Sequence, residues 1–335
     1  MGNHFHLAGD VGGTKTILAL FTKEKGPLQP LHEKSYSSSA FAGLDDIIED
    51  FFSWTGTYAQ TACFGVAGPV RDGRAVITNL PWQPDTHMLK VAHGFFRATL
   101  INDLVATGHG IPHLDESDFF TINRGRKTVG GALGIIAPGT GLGEVFFTWD
   151  GSQYFAVASE GGHTDFGPLS ETEERLLAYL RTRHVHVSYD RICSGRGIPA
   201  IYDFFKYNEG LEEPGWLTKE LAAAEDPAPV IVNGALAEKS CEICRKTIEL
   251  FVSVLGAEAG NLALKGLTTG GIYLAGGVPP KIRPFLETGT FMQTFTAKGR
   301  MSYLLPDIPV RVILNPKTAL IGAASFGLRL KFATL

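Results

Sequence analysis

Phe5-His6-Leu7-Ala8-Gly9-Asp10-Val11-Gly12-Gly13-Thr14-Lys15-Thr16-Ile17-Leu18-Ala19-Leu20-Phe21 is the stretch whose reading decides the fold. Residues 5–8 read as a short buried strand, 9–15 as a glycine-rich turn and 16–21 as a second strand, so the chain opens on a hairpin. Roughly 130 residues later, too far for a solenoid repeat, the unit returns. Residues 132–137 form its first strand, Pro138-Gly139-Thr140-Gly141-Leu142-Gly143 its turn and 144–149 its second strand. The two hairpins read as the openings of two related halves. Between and after them strand and helix signals alternate, which predicts an α/β architecture. A helix is expected over 45–54, buried strands over 62–66 and 98–101, and a helix opened by the capping-box spacing Ser170-Glu171-Thr172-Glu173 through about Arg183. The strongest helix is expected over 238–265, where Cys244, Ile248, Phe251, Leu255, Ala259 and Leu262 make one apolar stripe. Residues 270–277 read as a strand ending in a glycine pair. The polar stretch 209–229, which holds prolines, reads as a surface excursion.

A chain of 335 residues suggests about two domains at ~100–200 residues each. With 44% hydrophobic and 19% charged residues it has material for an ordinary core, which excludes a disordered tail, a disulfide miniprotein and a coiled coil. A net charge of −4 leaves no dense basic footprint for a nucleic-acid duplex. Phosphate can still be bound by backbone N–H groups, and the 40 clustered glycines favour such close approaches. Four cysteines, Cys63, Cys193, Cys241 and Cys244, are no disulfide framework. The start lacks a basic-then-apolar leader, His6 breaks the myristoylation pattern, no run nears ~18 uninterrupted apolar residues, and residues 332–335 match no sorting address. The expectation is a soluble cytoplasmic protein.

In the first turn Gly12 and Gly13 let N–H groups face an anion, and Thr14 adds a hydroxyl donor. Asp10 would repel phosphate unless a divalent cation stood between, so its carboxylate implies Mg²⁺. An ordinary hairpin turn with convenient glycines is the alternative; a P-loop is excluded because GxxxxGK[ST] is absent. The Asn102-Asp103 pair follows a strand. A carboxylate there is placed to take a hydroxyl proton during phosphoryl transfer, and Asn102 both donates and accepts. The same pair reads equally as a helix cap. Glu160-Gly161-Gly162-His163 offers an acceptor and a donor suited to a sugar; a zinc pair or a core histidine is the alternative, but zinc needs more ligands and no cysteine cluster is near. The lone Cys241-Glu242-Ile243-Cys244 reads as helix packing rather than a redox or metal site, because Cys244 joins the apolar stripe.

Together, Asp10-Val11-Gly12-Gly13-Thr14, Gly139-Thr140-Gly141-Leu142-Gly143 and Leu274-Ala275-Gly276-Gly277 resemble the two phosphate segments and the adenosine segment of the sugar-kinase and actin-like ATPase superfamily. Within it the chain is most similar to the bacterial-type glucokinases (ATP:D-glucose 6-phosphotransferases). The likeness spans nearly the whole chain and takes in Ile101-Asn102-Asp103, Glu160 through Phe166, His186-Val187-Ser188 through Ser194-Gly195, Asn261 through Leu264 and Gly322-Ala323. It implies a two-domain actin-like (ribonuclease-H-like) α/β fold with an interdomain cleft: a small domain over 1–113 plus 307–335 carrying the first phosphate loop, and a large one over 114–306. It implies transfer of the ATP γ-phosphoryl to the 6-hydroxyl of D-glucose at the entry to glycolysis, with ATP and Mg²⁺ as cofactors and a homodimer as the assembly. By the same resemblance Asp103 is the general base. Asn102, Asp103, Glu160, His163 and Asp190 contact the sugar. Gly9, Asp10, Val11, Gly12, Gly13, Thr14, Gly139, Thr140, Gly141, Gly276 and Gly277 hold the nucleotide, with Asp10 on the metal. One position departs: Asp190 stands where the family usually has Glu, one methylene longer. ROK-type glucokinases share the phosphate loops but carry a cysteine-rich zinc motif after the histidine, where this chain has Asp165-Phe166-Gly167-Pro168. The alternatives are a kinase for another hexose or with polyphosphate as donor, and a non-catalytic sugar sensor on the same fold.

Overall fold

Alternation along the opening hairpin sets the first layers. In the computed structural model, which describes residues 4–237 and 241–329, β1 (Phe5–Val11) and β2 (Lys15–Thr22) pair antiparallel, with Leu7 opposite Leu20 and Asp10 opposite Ile17. β3 (His32–Ser37) extends the hairpin beyond β2. After α1 (Leu44–Thr55), β4 (Thr61–Val66) joins β1 on its other side in parallel. A short ribbon of β5 (Val70–Arg71) and β6 (Arg74–Ala75), then α2 (Thr86–His93), lead to β7 (Arg97–Asn102), parallel to β4, and α3 (Asp103–Gly110) follows at once. The sheet order is β3-β2-β1-β4-β7. Because strand side chains alternate, Leu7, Val11, Leu18, Leu20, Phe64 and Val66 face α1 and α2 (Ile47, Phe51, Leu89). Ala8, Ile17, Ala19, Phe21 and Cys63 face the opposite helical layer.

The second unit repeats the plan. β8 (Phe119–Asn123) comes first, then β9 (Leu133–Pro138), β10 (Leu142–Trp149) and β11 (Tyr154–Ser159). Five helices follow: α4 (Glu171–Arg181), α5 (Gly197–Tyr207), α6 (Gly215–Ala223), α7 (Pro227–Leu236) and α8 (Glu242–Gly266). β12 (Gly271–Leu274), the short α9 (Arg283–Leu286) and α10 (Thr290–Thr296), and β13 (Val310–Ile313) complete it. The sheet order is β11-β10-β9-β12-β13-β8. From β11 to β13 the pairings run antiparallel, antiparallel, parallel, parallel, the same series as from β3 to β7. The units divide between Asp118 and Phe119 and between Leu314 and Asn315, where the chain returns to the first unit as α11 (Thr318–Arg329). A boundary at 307 would have put β13 with the first unit; it pairs instead with β12 and β8.

Several elements differ from their sequence readings. β1 runs on through Gly9, Asp10 and Val11, because Asp10 keeps partners on both sides, Ile17 and Gly65; the turn shrinks to 12–14. The second turn likewise shrinks to 139–141. Residues 209–229 are no surface excursion: they hold α6 and the start of α7, with Leu217 and Ala228 in the core. Ser170 caps α4 by accepting from the Glu173 N–H, but Glu173 accepts from the Leu169 N–H instead of closing the box. α8 begins at Glu242; 238–240 of its expected span, and the chain end at 332–335, lie outside the described residues. α8 is the one described helix long and apolar enough to cross a membrane, and 78% of that window is buried in the protein, as in a core helix.

In the first unit α3 and α11 touch backbone to backbone. A Cβ on Gly322 would stand 1.7 Å from the Ala106 carbonyl oxygen, and one on Gly110 would stand 2.2 Å from that of Thr318. Gly322→Ala therefore has to push the helices apart, at an expected cost of about 1–3 kcal/mol or more. A urea midpoint equal to the parent's would refute this close approach.

Candidate active site

The first unit gathers two carboxylates beside one glycine. Asp10 lies on the face of β1 shared by Ala8, the face that α3 and α11 cover. Its parallel partner on β4 is Gly65. A Cβ on Gly65 would meet the Ala106 Cβ at 2.7 Å and the Asp103 Cα at 3.9 Å, so the missing side chain is what lets the first turn of α3 settle on the sheet. Asn102 is the N-cap of α3: its Oδ1 accepts from the Leu104 N–H at 2.9 Å while its Nδ2 donates to the Gly68 carbonyl at 3.2 Å. The helix-cap reading of Asn102 is thus realised, and it fixes Asp103 as the first helical residue. The Asp103 Oδ1 accepts from the Leu104 N–H at 3.0 Å.

Both carboxyls are half-buried and both hold their protons more tightly than usual. Burial, then the Asp103 charge, push Asp10 up to about 7, with Lys15 opposing. Burial pushes Asp103 up to about 6 against the hydrogen bonds at the α3 N-terminus. Beyond Asp10 the turn is tightly built: Gly12 donates to the Lys15 carbonyl, and a Cβ on Gly13 would stand 2.6 Å from the Thr78 carbonyl oxygen. Thr14 is exposed at its end.

In the second unit three glycine segments meet. Gly139 N–H donates to the Gly141 carbonyl and Gly195 N–H to the Gly139 carbonyl, at 2.8 and 2.7 Å. Gly276, with φ +83°, lies so close to Pro138 that a Cβ would be 2.5 Å from its carbonyl oxygen. These turns border a cavity of about 760 Å³ that Gly139, Thr140 and Gly277 line together with Gly195, Arg196, Asn233 and Lys281. Its size suits a cofactor-sized ligand. The sequence reading missed Arg196, Asn233 and Lys281. Arg196 directly follows the quoted Ser194-Gly195, but no spacing in the chain places α7 beside the glycine turns.

Glu160 and His163 are exposed at the two ends of a single 3₁₀ turn, Gly161–His163, with the His163 N–H donating to the Glu160 carbonyl. Side chains three apart eclipse on such a turn, which sets the carboxylate and the imidazole on one side. Asp190 turns toward the glycine turn: its Oδ1 accepts from the Leu142 N–H at 2.7 Å, and a Cβ on Gly141 would come within 2.7 Å of it. Among the described residues no group of three or more His, Cys, Asp or Glu gathers at one point, and the four cysteines are free and buried. Cys241 lies just before α8 and Cys244 packs in the core, so the pair serves packing.

Two sheets of one plan, each opened by a glycine turn, have the architecture of the actin-like fold, and the family match and relatives make the chain an ATP-dependent sugar kinase. Residues 7–329 match the glucokinase family. A glucokinase of Nostoc punctiforme is 41% identical over 338 residues, covering 97% of this chain and 99% of that protein. One from Synechocystis is 40% identical over 354 residues, with 97% and 98% covered. A glucokinase crystal structure from an Antarctic psychrotroph superposes with a TM-score of 0.84 at 29% identity, covering 97% of this chain and 99% of that one. A ROK family glucokinase of Streptomyces griseus, solved with glucose and AMPPNP, shares the fold at a TM-score of 0.62 and 17% identity, with 97% and 99% covered. The chain belongs to the glucokinase family.

Two outcomes follow from the geometry. Asp190→Ala strands the Leu142 N–H and costs about 1–3 kcal/mol, whereas Asp190→Asn keeps an acceptor and most of that stability; equal losses in urea unfolding would remove the bond from the account. Asp10 binds its proton more tightly folded than unfolded, so its ionisation erodes stability as pH rises from about 4 to about 7. Asp10→Asn is thus expected to raise the unfolding midpoint, by a margin that grows across that window. A margin independent of pH would contradict the raised proton affinity.

Proposed function

We propose that the protein transfers the γ-phosphoryl group of ATP to the 6-hydroxyl of D-glucose, with Asp103 as the general base. The observation that carries this reading is the Asp103 carboxyl itself, held at the strand end by Asn102 and with a proton affinity near 6, which suits a group that must take a proton near neutral pH. In that role Asp103 accepts the hydroxyl proton as the oxygen attacks, and Asn102 keeps it oriented. Glu160 and His163 hold neighbouring hydroxyls as acceptor and donor. Asp190 is assigned to the sugar through the oxygen that does not serve Leu142. In this reading the two glycine turns, 12–14 and 139–141, lie against the phosphates with the Thr14 and Thr140 hydroxyls as donors, while the Gly12 and Gly139 N–H groups hold the turns themselves; Gly276-Gly277 with the neighbouring cavity takes the adenosine.

Mg²⁺ fits the first turn. Asp10 is a carboxylate whose charged form is costly where it stands, beside Asp103, and a cation relieves that cost. One carboxylate is what Mg²⁺ takes from a protein when phosphates and water supply the rest. Bound there, the ion would neutralise charge on the phosphates. Asp10 would hold it, directly or through water, while the rest of the segment (Gly9, Val11, Gly12, Gly13 and Thr14) keeps the backbone close to the anion. Family membership supports a homodimer, and four buried free thiols suit the reducing cytoplasm.

Asp103→Asn is expected to keep the fold and glucose affinity but lower kcat by about 10²–10⁴, and to abolish the acid limb near pH 6 in kcat/KM. Turnover like the parent's in a folded variant would sink the assignment.

A further inference from the structure

Beneath the Glu160–His163 turn lies a charge arrangement that the phosphoryl transfer itself does not use. Glu144 on β10 is 3% exposed and Glu258 on α8 is fully buried. A Cβ on Gly161 would stand 2.1 Å from the Glu144 Oε2, and one on Gly162 would stand 2.2 Å from the Leu142 carbonyl oxygen, so the turn rests directly on β10. Neither Glu144 oxygen accepts from an N–H or O–H of any other described residue. Glu258 has the Asn261 Nδ2 donating to its Oε2 at 2.8 Å and the Lys265 Nζ 3.4 Å from its Oε1. An ionised Glu144 would have no donor to either oxygen, whereas the protonated carboxyl leaves no uncompensated charge beneath the turn.

We propose that Glu144 is a positioning residue for the sugar-contacting turn: its carboxyl, buried with no donor to either oxygen, keeps its proton and is the floor that sets where Glu160 and His163 stand. The inference rests on the reading that Glu160 and His163 contact the sugar. The other groups around Glu144 leave the proton in place. Lys265 opposes its retention, but burial and the Glu258 charge outweigh it and push the Glu144 carboxyl well above the ordinary carboxylate range. Lys298 donates to Asn261 and to the Ala257 carbonyl. The Tyr189 hydroxyl accepts from Asn261, and its proton, like that of the Cys193 thiol, is held more firmly by burial and the nearby carboxylates. Glu173 is occupied by the Leu169 N–H and the Ser253 hydroxyl. Loss of that proton at alkaline pH puts an unpartnered buried charge under Gly161, and the turn shifts.

The test is steady-state kinetics of the whole protein, with glucose and Mg-ATP varied separately from about pH 6 to about pH 9. Glu144→Ala is expected to raise the glucose KM about tenfold or more while the ATP KM stays within about twofold. Glu144→Gln keeps a donor and an acceptor without a titrating proton, so its glucose KM matches the parent's at neutral pH and lacks the parent's alkaline rise. An unchanged glucose KM in Glu144→Ala, a parallel rise in both KM values, or an alkaline rise retained in Glu144→Gln would each overturn the proposal. Should Glu144→Ala fail to fold, the pH profile of Glu144→Gln decides alone. Glu160→Ala separates the two layers of the argument. If it raises the glucose KM and Glu144→Ala does not, only the positioning role falls; if it does not, the sugar reading of the turn falls and takes the proposal with it.

Discussion

The contact on which the first unit's site depends is Gly65 of β4 under Ala106 of α3. Any side chain at 65 would lift the first turn of α3 off the sheet, since even a methyl would meet Ala106 at 2.7 Å. With glycine there, Asp103 comes down beside the strand position paired with Asp10, and its charge adds to the burial that raises the Asp10 proton affinity. From the other side α11 holds α3 in place through Gly322 and Gly110, which allow backbone contact and leave no layer of side chains to deform. The raised proton affinities of Asp10 and Asp103 are thus a consequence of packing, and of glycines more than of any polar residue.

The second unit applies the same rule to its turns. Gly141 lies against the Asp190 carboxylate and Gly161 against that of Glu144. In each case a side chain is missing where a carboxylate approaches the backbone. The carboxylate at Gly141 receives a backbone N–H, from Leu142; the one at Gly161 receives none. The first arrangement costs little and orders the turn. The second is costly unless a proton is kept. A buried acid held in that state, directly below the turn that bears Glu160 and His163, makes the geometry of the turn sensitive to its protonation.

Much of this was legible in the chain. The paired hairpins foretold two sheets of one plan, because an apolar strand, a glycine turn and a second strand leave few alternatives. The Asn102-Asp103 pair was readable as a strand-to-helix junction from residue type alone. The partnership of Asp10 and Gly65 was not, because it rests on parallel pairing between strands separated by α1. Arg196, Asn233 and Lys281 come from the residue just before α5, from α7 and from the loop after β12, and only the tertiary fold brings them to one cavity. Residues 209–229 misled because their polarity and prolines looked like loop, while Pro227 begins a helix that Asp226 caps. Glu144 carried no signal: an acid after a glycine turn reads as exposed until α8 is seen to cover it.

Although the two sheets share one plan, the strands that lead into their opening turns differ in charge, and that difference has a chemical consequence. β1 carries Asp10 just before its turn, whereas β9 approaches its own turn through Ala137 and Pro138. A neutral turn offers an anion N–H groups and hydroxyls, which is enough to hold phosphate oxygens. A carboxylate in the same position repels them unless a cation stands between. The second turn has a carboxylate of its own, Asp190, but that one comes from outside the hairpin and its Oδ1 is engaged by the Leu142 N–H. Asp10 accepts no such bond from its own turn and burial makes its charge costly, so on the proposed function it is the first turn that calls for a cation, in the unit that also bears Asp103, the proposed base.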